Sequence, residues 1–149
     1  MMHKNNSENG QSLVELGISL MVIMILLVGA VEFSIALFQF VQLRDAAQEG
    51  ALYGSFNPAD ESGIRWRVRA ASQSPIDLSN TSLVPDSDIV VDYTNGKDSS
   101  NACEGDGVTV TITFDHIITL PLIGPMIGSN TIPLEASVTD TILQPVCPP

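Results

Sequence analysis

Between Glu15 and Arg44 lie 28 residues, positions 16 to 43, and the only charge among them is Glu32. About 20 predominantly apolar residues in a helix cross the hydrocarbon core of a bilayer. The run is long enough to span, with some to spare. A cleaved secretory signal has a shorter apolar core, roughly 7–15 residues closed by a small-residue site. Here the apolar character continues through Phe38, Phe40 and Leu43, so an uncleaved anchor is expected. Ser12-Leu13-Val14-Glu15 has the S-x-x-E form of a capping box. No proline interrupts the chain until Pro58. With Gly54 as C-cap and an Asn57-Pro58 turn after it, one helix is predicted from about Ser12 to Tyr53, its last third clear of the bilayer.

The remainder reads as a small polar domain. Residues 1–10 are too short and polar to fold, and serve as a leader peptide or cytoplasmic tail; 11–54 form the long helix and 55–149 an exoplasmic domain. Asn57 as N-cap, Pro58 at the first helical position, and Asp60 and Glu61 in the first turn predict a second helix ending near Gln73. Ile64, Val68 and Ala71 give it an apolar face. Glu61 can pair with Arg65, and the helix dipole favours Arg65, Arg67 and Arg69, which read as a solvated face or, less commonly, a docking patch for an acidic partner. Residues 72–87 read as a loop. Ile89–Tyr93 is a short apolar run, Val108, Val110, Ile112 and Phe114 alternate with threonines, and Leu134, Ala136, Val138 and Ile142 alternate later. The fold class expected is α+β: a long transmembrane helix, a second helix and a three-stranded antiparallel sheet.

Charge narrows the function. Six Lys and Arg stand against 17 Asp and Glu in 149 residues, a formal charge of -11. Nucleic-acid binding needs clustered cations and is excluded, and adsorption to anionic lipid is disfavoured. Lys4 and Arg44 flank the span and leave its orientation open. No phosphate-binding glycine loop, zinc-protease helix or nucleophile elbow is present, and no cofactor is expected. Asp115 and His116 are adjacent, which in a strand sends them to opposite faces, so they make a poor catalytic dyad. The carboxylates of Asp86, Asp88, Asp92, Asp98, Glu104 and Asp106 fit no EF-hand spacing and read as a solubilising face rather than a calcium site. Asn80-Thr81-Ser82 is a formal glycosylation sequon of a frequent chance kind. No metal site, catalytic residue or enzymatic activity is expected.

Three further features concern packing. Gly29, Glu32, Ala36, Gln39, Leu43, Ala46, Gly50 and Gly54 fall along one helical stripe, mostly small or polar. It is either a packing seam, with Glu32 seeking a partner, or an ordinary membrane-helix composition in which Glu32 reaches water at the interface. Cys103 and Cys147 permit one pairing, which outside the cytoplasm would contribute roughly 4 kcal/mol; the other reading is two unrelated buried thiols. Residues 117–128, IITLPLIGPMIG, are too proline-broken to span, and are buried by their own domain or touch membrane or a partner.

Gly10-Gln11-Ser12-Leu13-Val14-Glu15, followed by the apolar run, resembles a type IV prepilin processing site, in which a peptidase cuts after the glycine and leaves a glutamate at the fifth mature position. Val31-Glu32-Phe33 and Asp45-Ala46-Ala47-Gln48-Glu49-Gly50-Ala51-Leu52-Tyr53 are similar to the rest of the N-terminal region of TadE-like proteins, minor pilins or pseudopilins of tight-adherence (Flp) pilus systems. Leu16 departs from the Phe or Tyr common after that glutamate. The resemblance implies cleavage between Gly10 and Gln11, and an anchor in the bacterial cytoplasmic membrane with its N-terminus inside. It gives Glu15 an assembly role, its charge matched by the free amine of a mature N-terminus. It also implies prepilin peptidase, other pilin or pseudopilin subunits, pilus assembly membrane proteins and the lipid bilayer as partners. The alternative is a single-pass, signal-anchored exoplasmic binding module that does not polymerise.

Overall fold

The computed structural model describes residues 8–94, 97–119, 124–125 and 128–144. Helix α1 runs unbroken from Glu8 to Phe56, 49 residues, which at 1.5 Å per residue is about 74 Å. It is already helical at Glu8, so Ser12 is an interior position and not the expected cap. No proline lies upstream to prevent this, and Gly10 alone costs the helix only about 1 kcal/mol. Gly54 is likewise inside α1 rather than capping it. A Cβ there would stand 3.0 Å from Ile64 Cδ1 and 3.2 Å from Val108 Cγ2, so the glycine permits close approach to the rest of the domain. The chain turns at Asn57, whose N–H donates to Tyr53 O (3.0 Å).

Helix α2 spans Glu61–Ala71, and its N-cap is Asp60, not Asn57. The Asp60 carboxylate accepts the Gly63 N–H (2.9 Å), the Ser62 hydroxyl (2.7 Å) and the Tyr53 hydroxyl of α1 (2.9 Å). A tertiary partner thus decides between two residues of similar capping strength. Arg65 and Arg69 depart from the solvated-face expectation. Arg65 Nη1 donates to Asp86 O (2.9 Å) and also to Ile89 O; Arg69 donates to Leu78 O (2.7 Å) and Val84 O (3.1 Å) and pairs with Asp86. These bonds fasten the 72–88 connection to α2, and the connection itself buries Ile76, Leu78 and Val84.

Strands β1 (Ile89–Tyr93), β2 (Gly107–Ile117) and β3 (Thr131–Thr141) form one antiparallel sheet in sequence order, with Val110 opposite both Val91 and Val138. One face carries Val108, Val110 and Ile112, all fully buried. The other carries hydroxyl pairs, Thr109 with Thr139 (2.8 Å) and Thr111 with Ser137 (3.0 Å). The buried face meets Ile64 and Val68 of α2 and Leu43, Ala46, Ala47 and Ala51 of α1. The long helix therefore supplies one wall of the core.

Candidate functional site along the long helix

α1 divides by exposure. From Leu13 to Val28 its large apolar side chains all face outward, Leu16 at 64% and Leu26 at 67% exposed. This is what a helix meant for lipid or for other helices presents. Gly10, Gln11 and Glu15 lie on its first turns, helical and exposed, with nothing within 4 Å of where a Gly10 Cβ would be. Gly29 is equally open. Along the same stripe Glu32, Ala36 and Gln39 are half-buried, and Leu43, Ala46 and Gly50 are buried. From Glu32 onward the neighbours on this stripe are the chain's own sheet and second helix. At Gly50 the approach is closest, a Cβ there falling 2.5 Å from Val68 Cγ2.

Where the sheet first meets α1, a polar cluster forms. The β2 alternation turns His116 inward, 4% exposed, and Asp115 outward, so the two do not form a dyad. His116 Nδ1 is 2.6 Å from Gln39 Oε1, and Nε2 is 3.4 Å from Glu32 Oε1. Glu32 Oε1 also accepts the Thr119 N–H at 2.8 Å. Nε2 is buried without a hydrogen bond; it forms an ion pair with the carboxylate whenever the imidazole is protonated. A carboxylate in an apolar helix is costly unless so matched. The sequence reading did not connect these residues. The available signal was that the only charge of the apolar run and the only histidine after residue 10 both needed partners.

Asp86, Asp88, Asp98 and Asp106 of the acidic set each have a nearby donor. Asp98 accepts from Ser100 and Asn101, chiefly the Ser100 hydroxyl, and its carboxyl is held below the usual aspartate range. Asp106 takes Lys97 Nζ (2.7 Å) and the Cys103 N–H (2.9 Å), and is lowered as well, Lys97 first. Among the described residues no group of three or more His, Cys, Asp or Glu is placed to hold a metal ion. Cys103 sits in the β1–β2 connection. Cys147 lies outside the described residues, as does most of the 120–127 stretch. Sequence reasoning also missed a small platform on the α1–α2 surface, where the Arg67 guanidinium lies over the rings of Tyr53 (5.2 Å) and Trp66 (5.6 Å). A lone Trp off the apolar face of α2 was its trace.

All the helix residues singled out from the sequence, from Gly10 to Gly50, thus lie on one continuous rod. Residues 10–52 match the TadE-like protein family. The TadE-like segment begins at Gly10 and lies wholly within α1; α2 and the sheet fall beyond it. No curated protein and no solved structure matches the chain. A TadE-like segment suggests a role in tight-adherence pilus systems, and the one helix among the described residues that is long and apolar enough to cross a membrane, near the N-terminus, fits a single-pass membrane protein in such a system.

Proposed function

We propose that this protein is a non-enzymatic minor pilin or pseudopilin that takes part in assembling a tight-adherence, type IV-like pilus. The observation that carries the reading is the TadE-like helix with its first half uncovered on every side, while only its second half is used to hold the chain's own domain. Prepilin peptidase would cut between Gly10 and Gln11, and Glu15 would then meet the new amine of a neighbouring subunit. The anchor would lie in the cytoplasmic membrane, N-terminus inside, with the acidic domain outside. Such a compartment permits a Cys103–Cys147 bridge. The Gly105 N–H donates to Ile142 O (2.9 Å) and the Ile142 N–H to Asp106 O (2.8 Å), which holds Ile142 beside the Cys103 loop.

An intact mass of protein from its own cells tests both covalent points. Loss of residues 1–10 and of two hydrogens is the expected result; a chain still starting at Met1 beside normally trimmed prepilins refutes processing. The rival reading, an anchored binding module that never polymerises, is favoured by the filled stripe from Glu32 to Gly54. Glu15→Ala separates the two. A pilin loses partner capture or assembly yet stays inserted, whereas a stand-alone module keeps its binding.

A further inference from the structure

The β2–β3 hairpin ends against the apolar part of α1, and its end carries an exposed isoleucine on each face. Ile117 pairs with Thr131 and Ile132 with His116 on the next rung, so the two isoleucines project to opposite sides. Ile117 is 69% exposed and Ile132 40%. An antiparallel sheet in water ordinarily keeps one polar face, as the threonine ladder does farther up these same strands. The first charges met on leaving this end are Asp115 and Glu135, both exposed.

The Thr119–Glu32 bond fixes how far along α1 this end reaches. Glu32 lies 17 residues past Glu15, about 25 Å at 1.5 Å per residue, within a hydrocarbon core ~30 Å thick that starts near Glu15. Beyond Glu32 the helix surface stays apolar, with Phe33 69%, Leu37 50% and Phe38 55% exposed. We infer that the described end of the hairpin, Ile117 with Ile132, dips into the lipid leaflet at the carboxyl end of the span, lying alongside α1. The hairpin then shields the Glu32 carboxylate from acyl chains and gives it the Thr119 N–H and the His116 ring. Asp115 and Glu135 sit at headgroup level. A second contact with the bilayer fixes the tilt of the domain, which a single helix leaves free. This inference rests on α1 spanning the membrane.

The test uses the full chain in phosphatidylcholine vesicles whose acyl chains carry bromine, a short-range quencher of indole. With Trp66→Phe as background, the chain having no other Trp, three variants each introduce one indole: Ile117→Trp, Phe33→Trp in the span, and Leu143→Trp. Leu143 is 50% exposed, and its N–H donates to Ser55 O near the far end of α1, about 34 Å beyond Glu32 along the axis. The expected result is blue-shifted emission and strong quenching for Ile117→Trp, comparable with Phe33→Trp, and neither for Leu143→Trp. If Phe33→Trp is quenched and Ile117→Trp is not, the dipping hairpin is wrong while the span stands. Absence of quenching at both sinks the span and the inference with it. Emission from Ile117→Trp that is blue-shifted but unquenched, and shifts with protein concentration, assigns this surface to a second copy and overturns the lipid contact.

Discussion

Gly50 and Gly29 share a stripe of α1 and meet opposite surroundings. A methyl at position 50 falls 2.5 Å from Val68 Cγ2, the end of a short β-branched side chain with little freedom to swing away. Gly50→Ala gains up to about 1 kcal/mol of helix propensity but incurs overpacking of about 1–3 kcal/mol. A net loss is expected, read as a lower denaturation midpoint in detergent. Gly29→Ala gains the same helix propensity and adds its methyl to open space, so it should hold or raise that midpoint, and any loss it causes must come from a neighbouring molecule. Tyr93 supplies the alkaline counterpart. Burial, with the nearby Glu61 charge, pushes its phenol up to about 12, and the hydroxyl donates to Pro58 O (2.6 Å). A raised folded value means stability that is complete below the unfolded tyrosine value near 10 and is lost as pH climbs through 12. Melting curves should show that alkaline fall, and Tyr93→Phe should flatten it while lowering the neutral-pH stability by about 1 kcal/mol for the missing bond.

At the scale of elements, α2 is held at both ends by side chains. Ser62, Gly63 and Tyr53 all donate to the Asp60 carboxylate, Ser62 most effectively, and keep its carboxyl below the ordinary aspartate range. The stability this supplies is present above the unfolded value near 4 and disappears as pH falls through the lowered folded value. Asp60→Ala should lower the melting temperature at pH 7 and remove part of the acid-side slope; an unchanged slope would show that the cap is not what titrates. Element types were legible because Ile64 with Val68, and Val108 through Phe114, keep strict helical and strand periods. Boundaries were not, since period carries no information about which of two good caps finds a tertiary acceptor or donor. The same holds for Gly54, whose absent side chain makes room for Ile64 and Val108 instead of a left-handed turn. The arginines of α2 also escaped sequence reading. Whether a guanidinium faces water or the carbonyls of residues 78–89 depends on where an irregular connection folds back, which no periodicity encodes.

Over the whole molecule, the rod and the domain are one folding unit at one end and separate at the other. Leu43, Ala46, Ala47 and Ala51 are buried against α2 and the sheet, although in sequence they continue the apolar helix. The stripe was visible as small and polar residues; that the chain's own domain fills its carboxyl-terminal half was not, because the same composition serves a neighbour's helix equally well. A fragment starting at residue 55 lacks that wall of the core. Losing Leu43 alone by Leu43→Ala should cost about 2–5 kcal/mol, against a total stability of about 5–15 kcal/mol for a domain of ordinary size. Residues 55–149 should therefore show no cooperative unfolding and poorly dispersed amide signals. A fragment from residue 39 keeps Leu43, Ala46, Ala47 and Ala51 and omits the exposed span, Leu13 to Phe38, and should unfold cooperatively in water without detergent. Cooperative unfolding of 55–149 with the same midpoint as 39–149 would mean that α1 merely lies on a domain already complete. The expected difference means that any force tilting the helix is transmitted directly into the sheet.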